Sequence, residues 1–222
     1  VSGKKEAMEA IFPLLKKYGG VVVALTLDEN GIPATADGRF AVAEKILKTA
    51  VEYGIDKKDI IFDTLAMAIS ADPNAAFATV NALKEIKERL GCHTSLGVSN
   101  ISFGLPNRDF VTSTFFAMAL ENGLSAAIMN PHSTDMMKTY YAYRALHGYD
   151  TNCEDYINFA SNFVPAAAIG AAVPQPAANQ QDDTSPTAIK FLNAEQRSNL
   201  LATELLLTSW SGATDGTSGY TL

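Results

Sequence analysis

The polar residues that could do chemistry fall in four groups along the chain: Thr26 with Asp28, Asp63 with Thr64, Ser99 with Asn100 and Ser102, and Asn130 with His132. Each group closes a short apolar run. Asp63 comes directly after Ile60-Ile61-Phe62, where an unpaired carboxylate would cost several kcal/mol. Two readings stand: a turn or capping aspartate for the helix that follows, or an acceptor for a ligand that offers paired N–H donors. Asn100 divides in the same way between turn formation and ligand contact. Its amide donates and accepts at once, which suits a ligand whose hydrogen-bonding character changes during reaction. Arg108 opens a helix-length segment after Gly104-Leu105-Pro106, and a guanidinium there opposes the helix dipole. It reads either as a match for an anionic or planar partner or as a solvated surface charge. His93, His132 and His147 share no metal-ligand spacing and read as structural or exposed, His132 being the best placed. Phe115, Phe116 and Met118 read as core. Without a nucleophile-base pair, a phosphate loop or a metal cluster, hydrolytic and phosphoryl chemistry lose ground.

The elements that must position these groups follow a regular rhythm. Strands buried on both faces are expected at 20–27, 59–64, 93–99 and 123–130. Helix-length amphipathic segments lie at about 38–53, 73–90, 108–121, 134–146 and 153–161. Another, at 4–18, precedes the first strand, and Pro13 is expected to kink or interrupt it. Strand and helix in alternation predict an α/β fold of repeated units. No Gly-x-Gly-x-x-Gly turn supports an open doubly wound sheet. The expected fold is therefore the C-terminal half of a (β/α)8 TIM barrel, whose strand ends would bring the four polar groups to one mouth.

Composition narrows the function further. The 222 residues are 47% apolar and 18% charged, with a net charge of -7 and no clustered basic face. Nucleic acid and anionic membrane are thus poor partners. Cys92 and Cys153 are too few and too isolated for a disulfide framework or a structural zinc site, and a reducing cytoplasm is expected. No apolar run approaches a bilayer span, and residues 1–9 are too charged for a signal peptide. The chain starts at Val1 inside a pattern, and four parallel strands cannot close on themselves. A fragment, or a protein that pairs, is expected. The barrel portion is read as 1–161. An Ala-, Pro- and Gln-rich linker follows at 162–186, then a helix at 187–209 and a disordered tail at 210–222.

Four stretches carry a resemblance: LGVSNISFGLPNRD at 96–109, FDTLAM at 62–67, GIPATADGR at 31–39 and GLSAAIMNP at 123–131. In this order and spacing they resemble the pterin-binding (methyltetrahydrofolate) domain of cobalamin-dependent methionine synthase, over residues 1 to about 161. Corrinoid:methyltetrahydrofolate methyltransferases share the Gly-x-Ser-Asn core, and dihydropteroate synthase shares the barrel. The resemblance implies a dihydropteroate-synthase-like barrel that holds 5-methyltetrahydrofolate at its mouth and passes the N5 methyl to cob(I)alamin on a neighbouring module, in cis or in trans. It further implies that Asp63 accepts from the pterin's pyrimidine N–H groups, that Asn100 acts catalytically beside N5, and that Arg108 lies beside the bound folate. Ser99, Ser102 and Asn130 would complete the pterin-binding set. Val1-Ser2-Gly3 resembles the end of the family's segment after strand four, so strands one to four and their ligand-gripping residues would be missing. The helix at 187–209 would open the cobalamin module; neither the cobalamin-ligand His motif nor the zinc-bearing homocysteine module is expected on this segment. The alternatives are a corrinoid-protein methyltransferase, a dihydropteroate synthase, or a non-catalytic piece.

Overall fold

Short runs of β-branched and apolar residues form four strands: β1 (Val22–Leu25), β2 (Ile60–Asp63), β3 (His93–Gly97) and β4 (Ala126–Ile128). In the computed structural model, which describes residues 1–162, they pair in parallel in the order β1-β2-β3-β4. Parallel neighbours need a crossover between them. The helices α2 (Ala36–Glu52), α3 (Ala75–Glu85) and α4 (Arg108–Glu121) supply it, with α1 (Lys5–Tyr18) before β1 and α5 (Thr134–Leu146) and α6 (Glu154–Ser161) after β4.

Strand register decides the architecture. Because side chains alternate across a strand, Val22, Ala24, Ile60, Phe62 and Leu96 share one face. The first four pack with Met8 and Phe12 of α1 and with Phe40 and Ile46 of α2. Leu96 packs with Leu83 of α3, Phe115 and Phe116 of α4, and Met136 of α5. All the crossovers therefore cover the same face of the sheet, whereas a doubly wound sheet carries helices on both. The fold is four consecutive units of a (β/α)8 barrel wall, as the spacing predicted. Phe115 and Phe116 are core; Met118 is partly buried against the same cluster.

Several expectations need correction. The strands are shorter than predicted, and they are not buried on both faces: Val23 of β1 is 44% exposed and Ile128 of β4 65%. The reason is that the described helices all pack against the other face of the sheet. Pro13 does not interrupt α1, which runs unbroken from Lys5 to Tyr18. Pro13 and Glu9 both lie on the exposed side of the helix, so the carbonyl that loses its amide partner can bond water instead. The segment expected as one helix at 73–90 is α3 followed by a wider π turn, Ile86–Leu90.

The first three residues continue the sheet beyond β1. The N-terminal amine donates to the Val23 carbonyl at 2.7 Å, Leu25 N–H to Val1 at 2.8 Å, and Gly3 N–H to Leu27 at 2.7 Å. Gly3 is needed there, since a Cβ would stand 2.7 Å from Val42 Cγ1. Among the described residues no helix is long and apolar enough to cross a membrane. Apart from Asn162, the expected linker at 162–186, helix at 187–209 and tail at 210–222 lie outside the described residues.

Candidate functional site

The face of the sheet turned away from the helices carries one register row near its C-terminal end: Leu25, Asp63, Ser95 and Ala126. Gly97 and Ile128 stand one step above it, and Val23, Ile61 and His93 one step below. Asp63 is half-buried in this row. Its Oδ1 accepts the Leu65 N–H at 2.8 Å, and Leu65 adopts a left-handed φ of 61°, a conformation that costs energy outside glycine. The other carboxylate oxygen has no hydrogen bond among the described residues. Burial pushes the carboxyl above its ordinary 3.8, with the Leu65 N–H pulling the other way. Asp63 is thus a turn aspartate through one oxygen and an open acceptor through the other, and the two readings of it are compatible.

The loops behind this row are fastened by a residue that sequence reasoning left without a role. Arg39, in the first turn of α2, is only 2% exposed. Its Nη1 donates to the carbonyls of Thr64 at 2.8 Å and Leu65 at 3.1 Å and to Thr79 Oγ1 at 2.8 Å, while Nε donates to the Pro33 carbonyl at 3.0 Å. One guanidinium therefore ties the loops after β1 and β2 together. A signal for it exists in the sequence: Arg39, Ala43, Ile46 and Ala50 share one buried stripe of α2, and a charge on such a stripe must find partners inside. Thr64, also buried, donates to the Thr79 carbonyl at 3.4 Å, and Thr26 Oγ1 to the Asp63 carbonyl at 3.2 Å.

Asn100 does not end a strand, as the sequence suggested. β3 stops at Gly97, and Val98–Ser102 forms a 3-10 turn with Asn100 inside it. The turn folds the side chain back, so that a Cβ on Gly97 would lie 3.2 Å from Asn100 Nδ2. Since Gly97 points to the face turned away from the described helices, the amide lies on that face too. It is exposed and makes no side-chain hydrogen bond among the described residues. Asp63 and Asn100 therefore come to the same side of the same strand ends.

Arg108 and Ser102 stand differently from expectation. Arg108 Nη2 donates to the Ser99 carbonyl at 2.6 Å and Nε to Ser102 Oγ at 3.0 Å, and the guanidinium sits 5.6 Å from the centre of the Phe103 ring. An anionic partner is not required to explain it; the 98–102 turn supplies its acceptors. Ser102 is fully buried, with its hydroxyl committed to the Ser99 carbonyl, Thr112 and Arg108, so it supports the turn and has no surface left for direct ligand contact. Ser99 is half-buried and offers its carbonyl to both. Asn130 Oδ1 accepts the His132 N–H at 2.9 Å, a turn-forming bond in the loop before α5.

The remaining candidates lie apart. Asp28 Oδ1 accepts the Asn30 N–H and lines a hollow with Ile32, Pro33 and Lys45, whereas His132 lines another with Met137, Tyr141 and Phe159. Neither hollow includes Asp63 or Asn100, whose face is marked by register and by unmet hydrogen-bonding capacity among the described residues. His147 lies within 2.8 Å of Glu121, and burial pulls the His93 imidazole down. Cys92 is buried, its thiol pushed up by that burial. Among the described residues no group of His, Cys, Asp and Glu is placed to hold a metal.

A family model described as pterin binding enzyme matches residues 1–130. The chain belongs to the pterin-binding enzyme family. Within that family it is similar to the methylcorrinoid:tetrahydrofolate methyltransferase of Eubacterium limosum, 31% identical over 161 residues, which are 70% of this chain and 59% of that protein. It is similar also to the methionine synthases of Mycobacterium tuberculosis, 33% over 136 residues, and Mycobacterium leprae, 36% over 125 residues. Those matches take in 58% and 53% of this chain but only 11% and 10% of the synthases. The chain thus spans about three fifths of the first relative and about a tenth of the other two.

Proposed function

We propose that this pterin-binding chain contributes the Asp63–Asn100 side of a site for 5-methyltetrahydrofolate, from which the N5 methyl passes to a corrinoid. One observation carries the reading: a half-buried carboxylate and an exposed amide, each with hydrogen-bonding capacity unmet among the described residues, share the sheet face turned away from the described helices at the C-terminal strand ends, the position barrel enzymes use for chemistry. The ionised Asp63 carboxylate accepts the paired N–H groups of the pterin's pyrimidine ring. Asn100 sits at N5. Its amide N–H meets the N5 lone pair and its carbonyl meets N5–H, so one side chain serves the tertiary amine and the protonated amine alike. A tertiary amine leaves poorly unless N5 carries a proton, and a group that stabilises the forming N5–H lowers the barrier. Ser99 borders the pterin, Arg108 and Ser102 hold the turn that aims Asn100, and Asn130 shapes the rim after β4.

The reduced corrinoid, held by a neighbouring module, supplies the nucleophile that receives the methyl group. In this reading the corrinoid is carried elsewhere, with 162–186 as linker and 187–209 as the approach to that module. The finer reading is methyl transfer in methionine synthesis, in the cytoplasm, with zinc confined to a separate homocysteine module. The longer match to the Eubacterium limosum relative supports a second reading, in which the acceptor is a separate corrinoid protein.

Calorimetry of the full-length protein with 5-methyltetrahydrofolate, followed by a methyl-transfer assay with free cob(I)alamin, tests the proposal. Binding and transfer are expected. Absence of both, with p-aminobenzoate condensation in their place, would replace it with a dihydropteroate synthase.

A further inference from the structure

Among the described residues, two buried side-chain polar atoms have no hydrogen-bond partner, Ser95 Oγ and Tyr140 Oη. A hydroxyl taken from water and left unpaired is costly, and native proteins keep few of them. Ser95 is 4% exposed, and its place is specific. Register sets it beside Asp63 on one side and Ala126 on the other, with Leu25 beyond Asp63. In that row the only polar side chain flanking the Asp63 carboxylate is therefore Ser95. Side chains so paired on adjacent strands stand about 5 Å apart, within reach of a hydrogen bond after a rotation about χ1. The carboxylate offers what the hydroxyl lacks: Oδ1 is held by the Leu65 N–H, and the second oxygen is open.

We propose that Ser95 is a positioning residue for the folate site, its hydroxyl turning to donate to the open oxygen of Asp63 and fixing the plane in which the carboxylate meets the ligand's paired N–H groups. The inference rests on the folate reading above. Each carboxylate oxygen accepts more than one bond, so Leu65 and Ser95 occupy the outer positions and leave the inner ones to the ligand. The ionised form, which ligand binding requires, is opposed by burial and favoured by each donor. Ionisable groups on the elements around Asp63 include His93, one pleat below Ser95 on β3, Arg39 of α2, bonded to the Thr64 and Leu65 carbonyls, and Asp72 of the loop after β2, whose charge acts on Arg39. Asp28 lies in the loop after β1, turned to Asn30; β1 and β4 carry none within their strands.

The test is the affinity of the full-length protein for 5-methyltetrahydrofolate from about pH 5 to about pH 8, measured for wild type, Ser95→Ala and Ser95→Cys. Wild-type binding is expected to weaken on the acid side as Asp63 protonates. In Ser95→Ala that acid limb moves to higher pH, and near neutrality the affinity falls roughly tenfold. Ser95→Cys keeps the volume and weakens the donor, and moves the limb in the same direction. A limb unmoved in both variants, or an affinity loss equal at every pH, would leave Ser95 a packing residue and overturn the proposal. No binding by wild type at any pH would overturn the folate reading itself, and this role with it.

Discussion

Asn100 and Asp63 are proposed for opposite tasks, and substitution separates them. Asn100 acts on a nitrogen whose charge changes in the transition state, so Asn100→Ala is expected to slow methyl transfer by about 100-fold while weakening folate binding by less than about tenfold. Single-turnover transfer to cob(I)alamin beside equilibrium binding reads both numbers; equal losses in the two would remove the catalytic role. Asp63 carries a cost in stability. Its carboxyl titrates above the ordinary 3.8 because of burial, so its contribution to stability is fully present below that value and lost as pH rises through the folded-state pKa. Asp63→Asn removes this loss and keeps an oxygen for the Leu65 N–H. The variant is expected to melt higher than wild type near neutral pH, with the advantage shrinking toward pH 4, and to bind no folate. Thermal melts across that range check the sign: an advantage that grows as pH falls would contradict the burial account.

At the scale of elements, the 98–102 turn is the device that aims the site. The sequence marked Ser99, Asn100, Ser102 and Arg108 as one cluster but attached them all to a ligand. The structure divides them, because Ser102 and Arg108 bond to the turn that carries the other two. Periodicity and spacing do not distinguish a polar residue that faces a ligand from one that holds its neighbour; only the direction of each side chain does. Gly97 belongs to the same device. Its φ of -75° is open to any residue, and the near contact of an added Cβ is the end of the Asn100 side chain at 3.2 Å. Gly97→Ala is therefore expected to change stability by about 1 kcal/mol or less and yet to slow methyl transfer as Asn100→Ala does, by pushing the amide off the face. A variant that melts like wild type and transfers at the wild-type rate would show that the amide's position is not critical.

At the scale of the whole molecule, Arg39 is the residue on which the mouth depends. It joins loops from two β/α units from inside the core, and its loss would take the guanidinium donor from the Thr64, Leu65 and Pro33 carbonyls, while Thr79 would keep its bond to the Ala75 carbonyl. Arg39→Met is expected to destabilise the fold by about 3 to 5 kcal/mol, measured by denaturant unfolding; a loss below about 1 kcal/mol would mean that water replaces the guanidinium. The element order, the parallel sheet and the barrel wall were legible from residue order alone, because β-branched runs and amphipathic segments report local periods of two and 3.6 that survive in any environment. The motifs around Asp63 and Asn100 were equally legible as candidates. What only the tertiary structure decided was which side chains share a face: that Ser95 stands beside Asp63, that Arg39 is an internal fastener, that Asn100 folds back over Gly97, and that Asp28 and His132 turn to separate hollows. These depend on strand register and on hydrogen bonds between residues as many as 40 positions apart, and such long-range pairings leave no period in the sequence.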